Sequence, residues 1–115
     1  MIPLPQDLAP RPGSVGVYTF RVNAMHTAYD GHFPDHPILP GVLQIDWAIR
    51  LGVRTFGNLG TFKGMEHLKF QSGITPGEAI EIQLTWDAAK GELGFAYTGP
   101  SGPKSSGIAC FSPAR

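Results

Sequence analysis

Two residues able to move protons, His32 and Asp46, lie fourteen positions apart in this 115-residue chain. His32 falls in the stretch HTAYDGHFPDHPILPG over 26–41, and imidazole is the side chain whose ordinary titration range best suits proton transfer near neutral pH. Asp46 falls among apolar neighbours, where a carboxylate is costly unless it has a partner or a task. Between them, Gly41 and Val42 open a helical pattern. The unpaired N–H groups of a first helical turn, together with the helix dipole, favour a developing negative charge. A base, a carboxylate and an anion-stabilising turn in one short segment form a plausible proton-abstraction centre. Each also has an ordinary structural reading. A loop histidine is commonly satisfied by backbone carbonyls, Gly41 can serve close packing, and Asp46 is spaced i,i+4 from Arg50 for a helical ion pair. Such a guanidinium would modulate the acid by favouring its ionised form, whereas burial among Val42, Leu43, Ile49 and Val53 would oppose ionisation.

The elements that must position these groups are legible in the periodicity. Residues 26–41 carry three internal prolines before Gly41 and cannot be regular. Pro40-Gly41 then opens a helix over 42–56 whose apolar residues cover most of its circumference, which predicts a buried helix. Before it, Ser14 to Met25 is β-branched and aromatic and reads as strand. After it, four strands are expected: Phe62–Phe70, Ala79–Trp86, Glu92–Thr98 and Lys104–Phe111, joined by Gly- and Pro-containing turns as an antiparallel meander. Residues 1–13, with four prolines, read as an irregular N-terminal arm, and 14–115 as a single domain. One apolar helix against one curved sheet is an α+β solution of the hotdog type. A single helix covers only part of such a sheet, so a homodimer or a multiple of dimers is expected.

Composition narrows the function classes. Nine Lys plus Arg balance nine Asp plus Glu, leaving no excess cation to neutralise nucleic-acid phosphates. The most apolar stretch, 42–56, is interrupted by Asp46, Arg50 and Arg54, so no membrane span is expected, and the N-terminus lacks the pattern of a signal peptide. One cysteine, Cys110, excludes an intrachain disulfide and a Cys-clustered zinc site, and a cytoplasmic location is expected. His26, His32, Asp35 and His36 invite a metal, but Pro34 and Pro37 forbid the helix that His32-x-x-x-His36 would need, so no metal is expected.

The run His32-Phe-Pro-x-x-Pro-x-x-Pro-Gly41, with its acid at Asp46, resembles the signature of the β-hydroxyacyl-(acyl carrier protein) dehydratases. Asp46-Trp47, Phe70-Gln71 and Leu84-Thr85-Trp86-Asp87 are similar to the small dehydratases of aryl polyene biosynthesis. The resemblance covers about 14–112 and implies a hotdog fold, no cofactor, a substrate thioester carried by acyl carrier protein, and sites shared across a dimer. It implies that His32 abstracts the α-proton, that Gly41 N–H, with Val42 N–H, holds the thioester oxygen, and that Asp46 acts at the β-hydroxyl. An aspartate at this position is the choice of the isomerising branch. Asp35-His36 departs from the pattern, as does Arg50, where relatives often carry Gln. A hotdog acyl thioesterase is the alternative, in which the helix carboxylate activates water or attacks the thioester, and a non-catalytic acyl-binding subunit is a third reading.

Overall fold

Strict alternation drives the sheet. In 80–87 the side chains of Ile80, Ile82 and Leu84 are buried while Gln83 and Thr85 are exposed. In 92–99 Leu93, Phe95 and Tyr97 take the same inward positions, as the period of two requires. The computed structural model describes residues 2–23, 26 and 38–113. It contains β1 (Ala9–Pro10), β2 (Val17–Phe20), α1 (Gly41–Phe56), β3 (Thr61–Phe70), β4 (Ile80–Asp87), β5 (Glu92–Gly99) and β6 (Gly102–Ser112). These strands form one antiparallel sheet in the order β1-β2-β4-β5-β6-β3.

That order corrects the expected meander. Of the four strands after the helix, only β4, β5 and β6 follow one another; β3 lies at the far edge against β6, and β4 sits beside β2. The segment after β3 cannot make a hairpin because it is spent elsewhere. Gln71 and Ser72 donate their N–H groups to the Lys104 carbonyl, and Ile74 accepts from Leu39 N–H at 2.9 Å, so the segment crosses the approach to α1 before reaching β4. The N-terminal stretch is also less detached than its prolines suggest. Ala9 and Pro10 pair with Thr19 and Tyr18, while Ile2, Leu4 and Leu8 pack against the core.

The helix lies across β4 and β5 on one face of the sheet. Its inward residues are Gln44, Trp47, Ala48, Leu51 and Gly52. Gly52 lets it settle closely, since a Cβ there would stand 2.6 Å from Leu93 Cδ2. Trp47 packs edge-on to Phe20 with ring centroids 6.1 Å apart, and Phe20 in turn meets Tyr97 at 6.2 Å, arrangements favoured by the ring quadrupoles. The expectation of a buried helix, apolar round most of its circumference, is met on one side only. Val42 is 72% and Val53 48% exposed, because a single sheet covers one side of a helix and leaves the other open. The helix ends at Gly57, whose φ of 87° suits glycine and whose N–H donates to Val53 O. No helix among the described residues is long and apolar enough to cross a membrane.

Candidate active site

The start of α1 is built by proline. Pro40 takes the N-cap position with φ −58° and ψ 140° and offers no side-chain cap. Its carbonyl accepts from Leu43 N–H at 3.1 Å and Gln44 N–H at 3.2 Å. The N–H groups of Gly41 and Val42, too early in the helix for a partner inside it, have no hydrogen-bond acceptor among the described residues. A Cβ on Gly41 would stand 2.6 Å from the ring of Phe70, the last residue of β3. Glycine here allows the exposed Phe70 ring to approach the start of the helix, and a larger residue would make that ring move aside, whatever else the Gly41 N–H does.

Asp46 lies one turn further on, on the same open face as Val42. Its side chain is 44% exposed and its Oδ2 accepts a hydrogen bond from Arg50 Nη1 at 3.2 Å. Of the apolar neighbours expected to bury it, Val42 and Val53 face outward. Arg50 does pair with the acid, and the same Nη1 also donates to the Ile2 carbonyl at 2.7 Å. The arm, the guanidinium and the carboxylate are thus joined. His32, with Asp35 and His36, lies outside the described residues. His26 packs edge-on to Trp47 at 5.6 Å and borders a cleft of about 630 Å³ with Asp7, Arg21 and Asn23. Neither Gly41 nor Asp46 lines that cleft.

Behind this face is a polar group that sequence reasoning missed. Gln44 is buried, donating from Nε2 to Leu39 O at 3.1 Å and accepting from Ser105 Oγ at 2.5 Å. Tyr97, fully buried, donates its O–H to the Gln44 carbonyl at 2.7 Å. Burial first, and then the nearby Asp46 charge, push the Tyr97 phenol far above its ordinary range, so it serves as a donor and not as a base. A sequence signal for Gln44 exists, since positions 44, 47, 48 and 51 share one helical face. Cys110 is half-buried, on the opposite strand face from Ala109 and Phe111. Desolvation and the carboxylates of Glu66 and Glu92 raise its thiol above the ordinary range against the pull of Lys63, which suits an unreactive side chain.

A family model described as ApeI-like, ApeI dehydratase, matches residues 12–108. The chain belongs to that family. A 3-hydroxyacyl-(acyl-carrier-protein) dehydratase FabZ of Natranaerobius thermophilus is 32% identical over 96 residues, 77% of this chain and 66% of the relative. The chain thus spans just under two thirds of the length of that curated relative. Among solved structures, the Dehydratase Heterocomplex ApeI:P from Xenorhabdus doucetiae superposes with a TM-score of 0.78 at 27% identity, over 96% of this chain and 97% of that one. A thioesterase from Thermus thermophilus, solved with coenzyme A and zinc, superposes with a TM-score of 0.57 at 14% identity over 89% of each chain. That likeness concerns the fold, which is the hotdog fold for this ApeI-like chain as well.

Proposed function

We propose that the protein is a hydro-lyase that dehydrates β-hydroxyacyl thioesters, presented by an acyl carrier protein, to trans-2-enoyl thioesters. His32 takes the α-proton as general base. Negative charge then gathers on the thioester oxygen, against the N–H groups of Gly41 and Val42. Asp46 orients the β-hydroxyl, the C–O bond breaks, and imidazolium His32 returns its proton to the departing oxygen. The substrate loses one H and one OH, leaving as water, and the histidine is neutral again. The thioester acidifies its own α-carbon, so the scheme draws on no cofactor or metal.

The observation that carries this reading is the placement of Asp46. It is an accessible carboxylate on the open helix face, paired there with Arg50 and one turn from two N–H groups that have no acceptor among the described residues, in a chain of the ApeI-like dehydratase family. Exposed Val42 and Val53 flank it, and β3, a ten-residue edge strand, exposes Phe62, Leu68 and Phe70. An apolar helix face and a long free strand edge favour a second copy of the chain as their cover, so the working unit is a homodimer or a multiple of one.

Short and medium β-hydroxyacyl and enoyl thioesters, followed by enoyl absorbance alongside free thiol, test the reaction. Reversible hydration without thiol release is expected. Thiol release would assign the chain to the thioesterases instead, and no change in either signal would leave an acyl-binding subunit.

A further inference from the structure

A glutamine is an expensive choice for the helix–sheet boundary, where leucine fills a similar volume without desolvating an amide. Gln44 occupies that boundary, and both ends of its amide are bonded. Nε2 reaches backward out of the helix to Leu39 O, while Oε1 takes the hydroxyl hydrogen of Ser105 on β6. Tyr97 on β5 holds the Gln44 backbone carbonyl, and Leu39 N–H is held by Ile74 O. The Leu39–Pro40 peptide is therefore tied through its carbonyl to Gln44, and the residue before proline is fixed on both sides.

The next peptide, Pro40–Gly41, is the one that bears the Gly41 N–H. In a trans peptide the C=O and N–H point in opposite directions. The Pro40 carbonyl points into the helix, where Leu43 and Gln44 N–H groups donate to it, so the Gly41 N–H points away from the helix, toward the place where an anion would sit. Resting on the dehydratase reading above, we propose that Gln44, braced by Ser105 and Tyr97, is a positioning residue that sets the direction of the Gly41 N–H against the thioester oxygen. It touches no substrate. It acts when charge develops on that oxygen, so it governs turnover more than binding.

The test is a kcat-against-KM comparison for wild type, Gln44→Leu, Tyr97→Phe, Ser105→Ala and Ser105→Thr on one β-hydroxyacyl thioester, with melting temperatures and rates expressed per folded enzyme. Losing an oxyanion donor outright costs about 100- to 1,000-fold. Misaligning one through Gln44→Leu is expected to lower kcat about tenfold and leave KM within about twofold. Tyr97→Phe removes one oxygen from a retained ring and is expected to lower kcat about threefold. Ser105→Ala should follow it, with Ser105→Thr, which keeps the hydroxyl donor, closer to wild type.

Variants that melt lower but turn over at the wild-type rate would overturn the proposal and leave Gln44 a structural residue. Should Gln44→Leu fail to fold, the Tyr97 and Ser105 variants decide by the same criterion. A wild type that forms no enoyl product from any β-hydroxyacyl thioester would bring down the dehydratase reading, and this inference with it. That outcome is distinct from an active wild type whose variants are indifferent.

Discussion

Arg50 Nη1 stands 3.2 Å from Asp46 Oδ2 and donates as well to the carbonyl of Ile2, 2.7 Å away. One guanidinium thus holds the acid of the candidate site and the beginning of the N-terminal arm. The pair is partly exposed, so its worth to stability is small, about 0–1 kcal/mol, and its effect falls on orientation. Arg50→Gln shortens the reach and removes the charge. The expected result is a kcat about three- to tenfold lower with a melting temperature within a few degrees of wild type, read from steady-state kinetics and calorimetry. An unchanged kcat would show that Asp46 needs no such tether.

His32→Ala is expected to reduce dehydration about 100-fold or more, the ordinary cost of losing a general base. Asp46→Asn keeps the shape of a half-exposed side chain and should lose activity to a similar degree while folding normally. Turnover above about a tenth of wild type in His32→Ala would assign the base elsewhere.

Stability at acid pH should follow Glu78. Burial raises its pKa, but hydrogen bonds from Lys104 and from Thr75 outweigh that and hold it below the ordinary 4.5. Lys104 Nζ, on an almost fully buried side chain, lies 2.7 Å from Glu78 Oε1 and also donates to Gly73 O. A carboxylate whose folded pKa is depressed contributes stability that is fully present above its unfolded value and is lost as pH falls through the folded one. Melting temperature is therefore expected to fall below about pH 4.5 in wild type. Lys104→Met should cost about 2 kcal/mol near neutrality, roughly 10 °C, with the gap to wild type narrowing as the pH drops. Parallel curves for the two proteins would place the acid sensitivity elsewhere.

Light scattering should find a dimer or a multiple of it and no stable 12.4 kDa species. Phe62→Glu and Leu68→Glu put charge on the exposed edge strand and are expected to yield monomer with lost activity. An active monomer would end both the dimer and the shared-site scheme.

The helix and strands β4, β5 and β6 are readable in the sequence because their periods are clean. Ile80, Ile82 and Leu84 alternate without interruption, and 42–56 repeats on the helical period with Gly57 to stop it. The sheet order is not readable. Nothing in the 71–79 segment announces that it crosses the approach to the helix, since its determining bonds run through backbone groups of Gln71, Ser72 and Ile74. The open helix face is hidden for a related reason. Val42 and Val53 are as apolar as Leu51, and composition cannot tell a residue on the open side of a helix from one facing its own sheet. In the candidate site, Gly41, Asp46 and Arg50 follow from motif and spacing. Gln44 is legible only as a member of the face it shares with Trp47, Ala48 and Leu51, and its amide's partners depend on which strands that face meets.

The strand order also has a consequence for how the chain assembles. Strands β4, β5 and β6 are neighbours in sequence and pair across two short turns, so their loops close cheaply. β1 pairs with its sequence neighbour β2, but the pairings that join β2 and β3 to these three strands are remote: Tyr18 meets Ile82, and Thr61 meets Ser112. The central three strands can therefore organise before either edge is in place, and the helix can settle only once Leu93 and Tyr97 are presented to it. Folding should be slow for a chain of this size, with mutational effects on the folding rate concentrated in 80–112 and small in β1–β3. The flanks that carry the candidate chemistry would then be the last to dock and the first to open, and the acid and its turn would form only on a finished sheet.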